Sequence, residues 1–210
     1  MIGLRREGGL WTVTLNRPEK ANSLTRDMLV RLEEIALEAQ AEGVAALVLT
    51  GEGKVFSAGA DLDEARAGLA TDGVWERVSA AIAGLDALTV AALNGTLAGG
   101  AFGMALACDF RIAVPEARFF YPVMKLGFLP QPSDPGRLAA LVGPSRAKLV
   151  LMGGAKLDAG EALAFGLVDR LVPRDELMAT AAGLAADALA AAPEHRVAIK
   201  ALCLGRRVAF

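Results

Sequence analysis

Two continuous apolar runs, each ending in a glycine-rich turn, constrain this chain more than any other feature. Val44-Ala45-Ala46-Leu47-Val48-Leu49-Thr50 lies between Gly43 and Gly51, and Thr89-Val90-Ala91-Ala92-Leu93-Asn94 runs into Gly95. Runs without polar alternation suit strands covered on both faces, as in a parallel sheet with helices packed over it. Further strands are expected at 10–15, which stops at Asn16-Arg17-Pro18, at 109–114 and at 167–172. Helical periodicity fills the intervals 25–42, 74–85, 100–107, 145–152, 158–165 and 175–192. Thr25 suits the N-cap of the first helix and Gly43 its stop. Strands alternating with helices make the fold class α/β with largely parallel pairing. The helix after 175 follows the last expected strand, which suggests an appendage.

Composition narrows the partners. A chain of 210 residues with 54% hydrophobic residues builds one domain with an ample core, not a disordered segment. Lys and Arg number 22 against 24 Asp and Glu, with no basic stripe, which speaks against nucleic acid. Cys108 and Cys203 stand far apart and match no metal spacing, so no metal is expected. The first 15 residues lack a signal-peptide core, and the apolar stretch 97–107 is too short to span a bilayer. A cytoplasmic protein without a membrane partner is the expectation.

Both apolar runs lead to glycine turns able to present bare backbone. In Ala58-Gly59-Ala60-Asp61-Leu62, Gly59 is free to take a left-handed conformation and Asp61 to cap a following helix. The Ala60 N–H is then left without an intrahelical partner. In Ala98-Gly99-Gly100, a helix starts at a glycine, where orphan N–H groups and the helix dipole favour negative charge. The same pattern serves equally as plain strand-to-helix turns. Neither segment fits a Walker loop or a dinucleotide fingerprint.

Three segments together resemble the signatures of the crotonase superfamily, the enoyl-CoA hydratase/isomerase family. They are Asn16-Arg17-Pro18-Glu19-Lys20-Ala21-Asn22-Ser23-Leu24, Phe56-Ser57-Ala58-Gly59-Ala60-Asp61-Leu62 and Asn94-Gly95 with Ala98-Gly99-Gly100. Cys108-Asp109, Leu126-Gly127 and Ala159-Gly160-Glu161-Ala162 with Gly166-Leu167-Val168 follow in order. The resemblance implies a ββα superhelix over a core at 1–174, with a C-terminal helical segment at 175–210 shorter than the family's. It implies an acyl-CoA thioester as substrate, and no cofactor beyond the coenzyme A that the substrate carries. It also implies an oxyanion hole from the N–H groups of Ala60 and Gly100. Ala21, Leu24, Ala58, Asp61 and Leu62 would line the coenzyme, and Val123 and Gln131 the acyl pocket. A homo-oligomer, a trimer by resemblance, is expected.

The chain departs from that pattern where water is handled. The two positions that carry glutamates in the family's hydratases are Gly103 and Val123, neither of which moves a proton. The position that carries an acid in other branches is Gln131, within the proline-rich Phe128-Leu129-Pro130-Gln131-Pro132. Asp134, in Ser133-Asp134-Pro135-Gly136, is a candidate acid or base, although a turn-forming Asp before Pro is the commoner use. Tyr121 reads as a pocket donor or as a strand residue with a satisfied hydroxyl. His195, at a helix start, and Asp109, beside a strand, read as structural. The expected function is an acyl-CoA enzyme of lyase or isomerase type, with isomerisation, decarboxylation and thioester hydrolysis open. The alternative is a non-catalytic acyl-CoA-binding or scaffold protein.

Overall fold

Each long buried strand hands the chain to a second, very short strand before a helix begins. The computed structural model describes residues 1–208. It opens with an antiparallel pair, β1 (Ile2–Glu7) and β2 (Leu10–Leu15), followed by α1 (Arg26–Ala41). The Thr25 hydroxyl caps α1 by accepting from the Met28 N–H.

Three ββα turns follow. The first is β3 (Ala46–Gly51), β4 (Val55–Ser57), α2 (Leu62–Arg66) and α3 (Val74–Ala83). The second is β5 (Leu88–Leu93), β6 (Thr96–Ala98) and α4 (Phe102–Ala107). The third is β7 (Phe110–Ala113), β8 (Arg118–Phe120), α5 (Val123–Leu126), α6 (Asp134–Val142) and α7 (Pro144–Leu151). The chain then passes through β9 (Leu157–Asp158), α8 (Ala159–Phe165), β10 (Arg170–Leu171), α9 (Leu177–Ala190) and α10 (Pro193–Cys203).

The first strand of every turn enters a six-stranded sheet ordered β1-β2-β3-β5-β7-β10. The second enters a four-stranded sheet ordered β4-β6-β8-β9. Pairing is parallel except at β1–β2 and β8–β9. The fold is therefore α/β and crotonase-like, with the ββα repeat wound through two sheets. Among the described residues no helix is long and apolar enough to cross a membrane.

Several elements differ from the periodicity, each for a physical reason. Three-residue strands such as β4, β6 and β8 are too short to show a period of two. The strand expected at 167–172 shrinks to β10, because the Leu167 and Val168 N–H groups turn back to the Ala162 carbonyl and close α8. Helix α6 replaces an open turn at Asp134, with Pro135 in its first turn, where a missing N–H costs nothing. Helix α9 lies across β2, β3, β5 and β7 with Leu177, Ala181 and Ala185 buried, so it covers the large sheet instead of standing off as an appendage. Lys200 ties α10 to the sheet's end through the Ala87 carbonyl (2.7 Å) and the Asp109 carboxylate (2.8 Å).

Two buried asparagines brace the turn between β3 and β4. The Asn94 amide oxygen accepts from the Gly51 N–H (3.0 Å), and its NH₂ donates to the carbonyls of Gly53 (3.0 Å) and Val55 (3.3 Å). Asn22, fully buried and left-handed at φ 52°, donates to Glu52 (2.9 Å) and Val55 (2.7 Å). Buried polar groups robbed of their partners cost about 1–3 kcal/mol. Asn94→Ala is therefore expected to lower unfolding free energy by about that amount in urea titration, and an unchanged midpoint would refute the brace.

Candidate active site

The site is assembled by two glycines whose backbones touch. Gly59 (φ 92°) and Gly99 (φ 58°) both lie in the left-handed region that side-chain-bearing residues avoid. A Cβ on Gly59 would stand 3.0 Å from the Ala98 carbonyl oxygen and 3.4 Å from Gly99 Cα. Each glycine is followed directly by one of the two expected donors, Ala60 and Gly100, and both donors line one cleft.

The backbone around Ala60 is held by its neighbours. Ala58 N–H donates to Ala21 (3.0 Å), Leu24 N–H to Gly59 (2.8 Å) and Asp61 N–H to Leu24 (2.9 Å). The Ala60 N–H lies between these ladder bonds and has no acceptor among the described residues. Ser57 Oγ locks the turn by donating to the Asn22 carbonyl (2.8 Å) and accepting from the Gly59 N–H (3.1 Å). Gly100 sits in a single 3₁₀ turn, Gly99–Ala101, that leads into α4. It packs on the Trp75 ring, which a Cβ would meet at 3.1–3.2 Å.

The cleft holds about 160 Å³, well below the roughly 300–1,000 Å³ of pockets that enclose whole drug-sized ligands, so it admits one small group of a larger molecule. Its walls are apolar: Ala98, Trp75, Phe120 and Val123 inside, with Leu62 (72% exposed) and Leu129 (88% exposed) at the mouth. Its polar lining residues are Tyr121 and Gln131, with the Gln131 N–H donating to the Tyr121 hydroxyl (3.4 Å), and of the described lining residues Tyr121 alone titrates. Among the described residues no cluster of three His, Cys, Asp or Glu is placed to hold a metal.

Asp134 lies directly behind Tyr121. It is fully buried and accepts the Tyr121 hydroxyl on Oδ2 at 2.9 Å, while Oδ1 has no partner among the described residues. Desolvation pushes its carboxyl up to about 6, against the Tyr121 hydrogen bond and the charge of Arg137, with Glu76 adding to the rise. Burial, with Asp134 alongside, drives the Tyr121 phenol upward, so it stays protonated. Tyr121 also stacks on Phe102, ring centroids 5.3 Å apart. Glu76 on α3 takes both the Ser133 N–H (3.1 Å) and the Ser133 hydroxyl, which fixes the start of α6 and so the place of Asp134.

The candidate residues thus fall into three groups. Ala58, Ala60, Leu62, Gly100, Val123 and Gln131 line the cleft. Ala21, Leu24 and Asp61 do not; the first two clamp the Ala60 loop through backbone bonds. Asp61 caps α2 and accepts Arg17 (2.8 Å), whose hydrogen bond holds the carboxyl below its usual range. Asp134 touches the cleft only through Tyr121. His195 lies exposed on α10, and Asp109 accepts the Thr89 N–H (2.8 Å) and hydroxyl (3.0 Å), away from the cleft. The sequence reading missed Trp75 as the wall behind Gly100 and Glu76 as the anchor of Ser133. Both lie on a helix face with nothing local to mark them. The buried, left-handed Asn22 sat within a recognised motif, yet its bracing role needed the β3–β4 turn to be in place.

Comparison with known proteins identifies the family. Residues 5–204 match the family model described as enoyl-CoA hydratase/isomerase, and the chain belongs to that family. It is 36% identical over 204 residues to the short-chain-enoyl-CoA hydratase of Clostridium acetobutylicum, covering 94% of this chain and 77% of that protein. It is likewise 36% identical to the carnitinyl-CoA dehydratase of Citrobacter koseri, covering 93% and 77%. The solved structure of Pseudomonas aeruginosa DspI superposes with a TM-score of 0.89 at 34% identity, over 97% of this chain and 86% of that one. The protein is accordingly an acyl-CoA-processing enzyme of the hydratase/isomerase class.

The buried carboxyl carries a pH signature. A folded-state pKa raised to about 6 means the folded protein binds this proton more tightly than the unfolded chain does. The resulting stability is present below the ordinary carboxyl value near ~4 and is lost as pH rises through the folded value. Asp134→Asn removes that loss. Denaturant titrations should show the difference, variant minus wild type, shifting in the variant's favour by on the order of 3 kcal/mol between pH 4 and 7. A pH-independent difference would contradict the desolvated carboxyl.

Proposed function

We propose that the cleft binds the thioester end of an acyl-CoA and holds its carbonyl oxygen between the N–H groups of Ala60 and Gly100, stabilising an enolate. The observation that carries this reading is the unpaired Ala60 N–H, held by bonds on either side in a wall shared with Gly100. A backbone donor left open among satisfied neighbours is ready for an external acceptor. Donors fixed before the reaction stabilise developing negative charge without reorganising, and removing one typically costs about 2.7–4 kcal/mol of barrier. The relatives' names, an enoyl-CoA hydratase and a carnitinyl-CoA dehydratase, support a CoA thioester as substrate. The cleft's size suits a thioester with a short acyl group, with the nucleotide outside near Ala58 and Leu62. Coenzyme A enters as part of the substrate, and no separate cofactor takes part.

Hydration by a pair of glutamates is not available, because positions 103 and 123 hold Gly and Val. Chemistry that needs an enolate and one proton, rather than an activated water, suits the site better: isomerisation or decarboxylation. We place the enzyme in the cytoplasm as a homotrimer, by likeness to its family. The test is a panel of acyl-, enoyl- and malonyl-type CoA thioesters followed by mass spectrometry, with binding measured by calorimetry. Turnover of at least one thioester is expected, reduced roughly 10²–10³-fold by Gly100→Pro, which deletes one donor. Undiminished turnover in that variant would remove the proposed oxyanion hole, and binding without turnover would point to a non-catalytic acyl-CoA binder.

A further inference from the structure

Behind the cleft lies a buried carboxylate that no local pattern places there, in the space where a larger residue at 103 would stand. A Cβ built on Gly103 would lie 3.0 Å from Asp134 Oδ1 and 3.4 Å from Oδ2. Position 103 lies in α4, the helix that follows the Gly100 turn, whereas Asp134 comes from the first turn of α6. The bare glycine on one helix therefore admits the carboxyl group of another. A purely structural carboxylate in such a site ordinarily has both oxygens satisfied, since an unpaired buried oxygen is costly. Here Oδ2 is bonded to Tyr121 and Oδ1 to nothing described. Tyr121, meanwhile, is itself one of the residues that line the cleft with Ala60 and Gly100, and its hydroxyl also accepts the Gln131 N–H (3.4 Å).

We infer that Tyr121 and Asp134 form a two-residue proton relay serving the carbon next to the thioester carbonyl, with Tyr121 the catalytic residue and Asp134 the positioning residue behind it. This rests on the enolate reading above. In the forward step the C–H bond at that carbon breaks and its proton passes to Tyr121 Oη. The Oη–H bond breaks as its proton moves to Asp134 Oδ2, and the C–H electron pair moves onto the thioester oxygen between the two N–H donors. The reverse step re-forms C–H, restores the phenol and returns Asp134 to carboxylate. No phenolate is formed, which suits a phenol whose ionisation burial opposes. The groups facing the carboxyl are Tyr121 from the segment after β8, Glu76 from α3 and Arg137 on α6 itself; α4 contributes only apolar residues.

The reaction read is deuterium uptake at the α-carbon of butyryl-CoA in D₂O, followed by mass spectrometry beside calorimetric binding. The wild type should incorporate deuterium at a rate that rises with pH and levels off above about 6, as Asp134 becomes the carboxylate that accepts the proton. Tyr121→Phe and Asp134→Asn should each lower the rate roughly 10²-fold or more while thioester binding persists, and the bend near pH 6 should vanish in Asp134→Asn. Gly103→Ala keeps both side chains but sets a methyl group against Oδ1, and it should slow exchange by displacing the carboxyl group, even if the other variants fold poorly. Binding without exchange in the wild type, or wild-type exchange in the variants, overturns the relay and leaves the oxyanion reading intact. Failure of the wild type to bind any thioester overturns both.

Discussion

The site depends on the contact between two left-handed glycines. Gly59 and Gly99 bring their backbones together so closely that a side chain on Gly59 would press on the Ala98 carbonyl and the Gly99 Cα. That approach sets the residues after them, Ala60 and Gly100, in the wall of a single cleft. The surrounding architecture maintains it. Parallel β4 and β6 deliver both turns to the same edge, and Trp75 supports Gly100 from behind. Asn22 and Asn94 converge on the Val55 carbonyl to stiffen the approach. The donor pair proposed above would act on charge only if it stayed in place as charge developed, and this network restrains the backbone on either side of it.

A second constraint is the exchange of mass between α4 and α6. Glycine at 103 leaves a gap beside α6, and Asp134 fills it with a desolvated carboxyl group. Burying an ionisable group this way opposes stability near neutral pH, and such perturbed groups in clefts concentrate at functional sites. Glu76 holds Ser133, Pro132 and Pro135 stiffen the segment, and Tyr121 takes one oxygen. Several elements are thus committed to holding a single carboxyl behind a tyrosine in the cleft.

Much of the frame was legible along the chain, because its signals are local. The continuous runs at β3 and β5, the Thr25 cap of α1 and the helical period of α8 all depend on neighbouring residues. The glycine turns at Ala60 and Gly100 were legible for the same reason: a buried strand followed by glycine is a local pattern, and the spaced motifs around it resemble one family. The short strands β4, β6 and β8 were not legible, since three residues carry no period and their pairing is wholly non-local. Nor was the covering role of α9, whose alanine-rich face says little about which sheet it meets.

The sequence by itself therefore determined the α/β class, the family, and the two glycine turns at Ala60 and Gly100. It also determined that positions 103 and 123 carry no acid. Only the tertiary structure decided that Asp134 is a buried helix residue and not an open turn. It alone joined Asp134 to Tyr121, 13 positions earlier, and set both against Gly103. The reason is physical. Conformational demands such as a left-handed glycine or a helix cap are written in adjacent residues, whereas a carboxyl group's burial, partners and proton affinity come from distant segments meeting in the folded core.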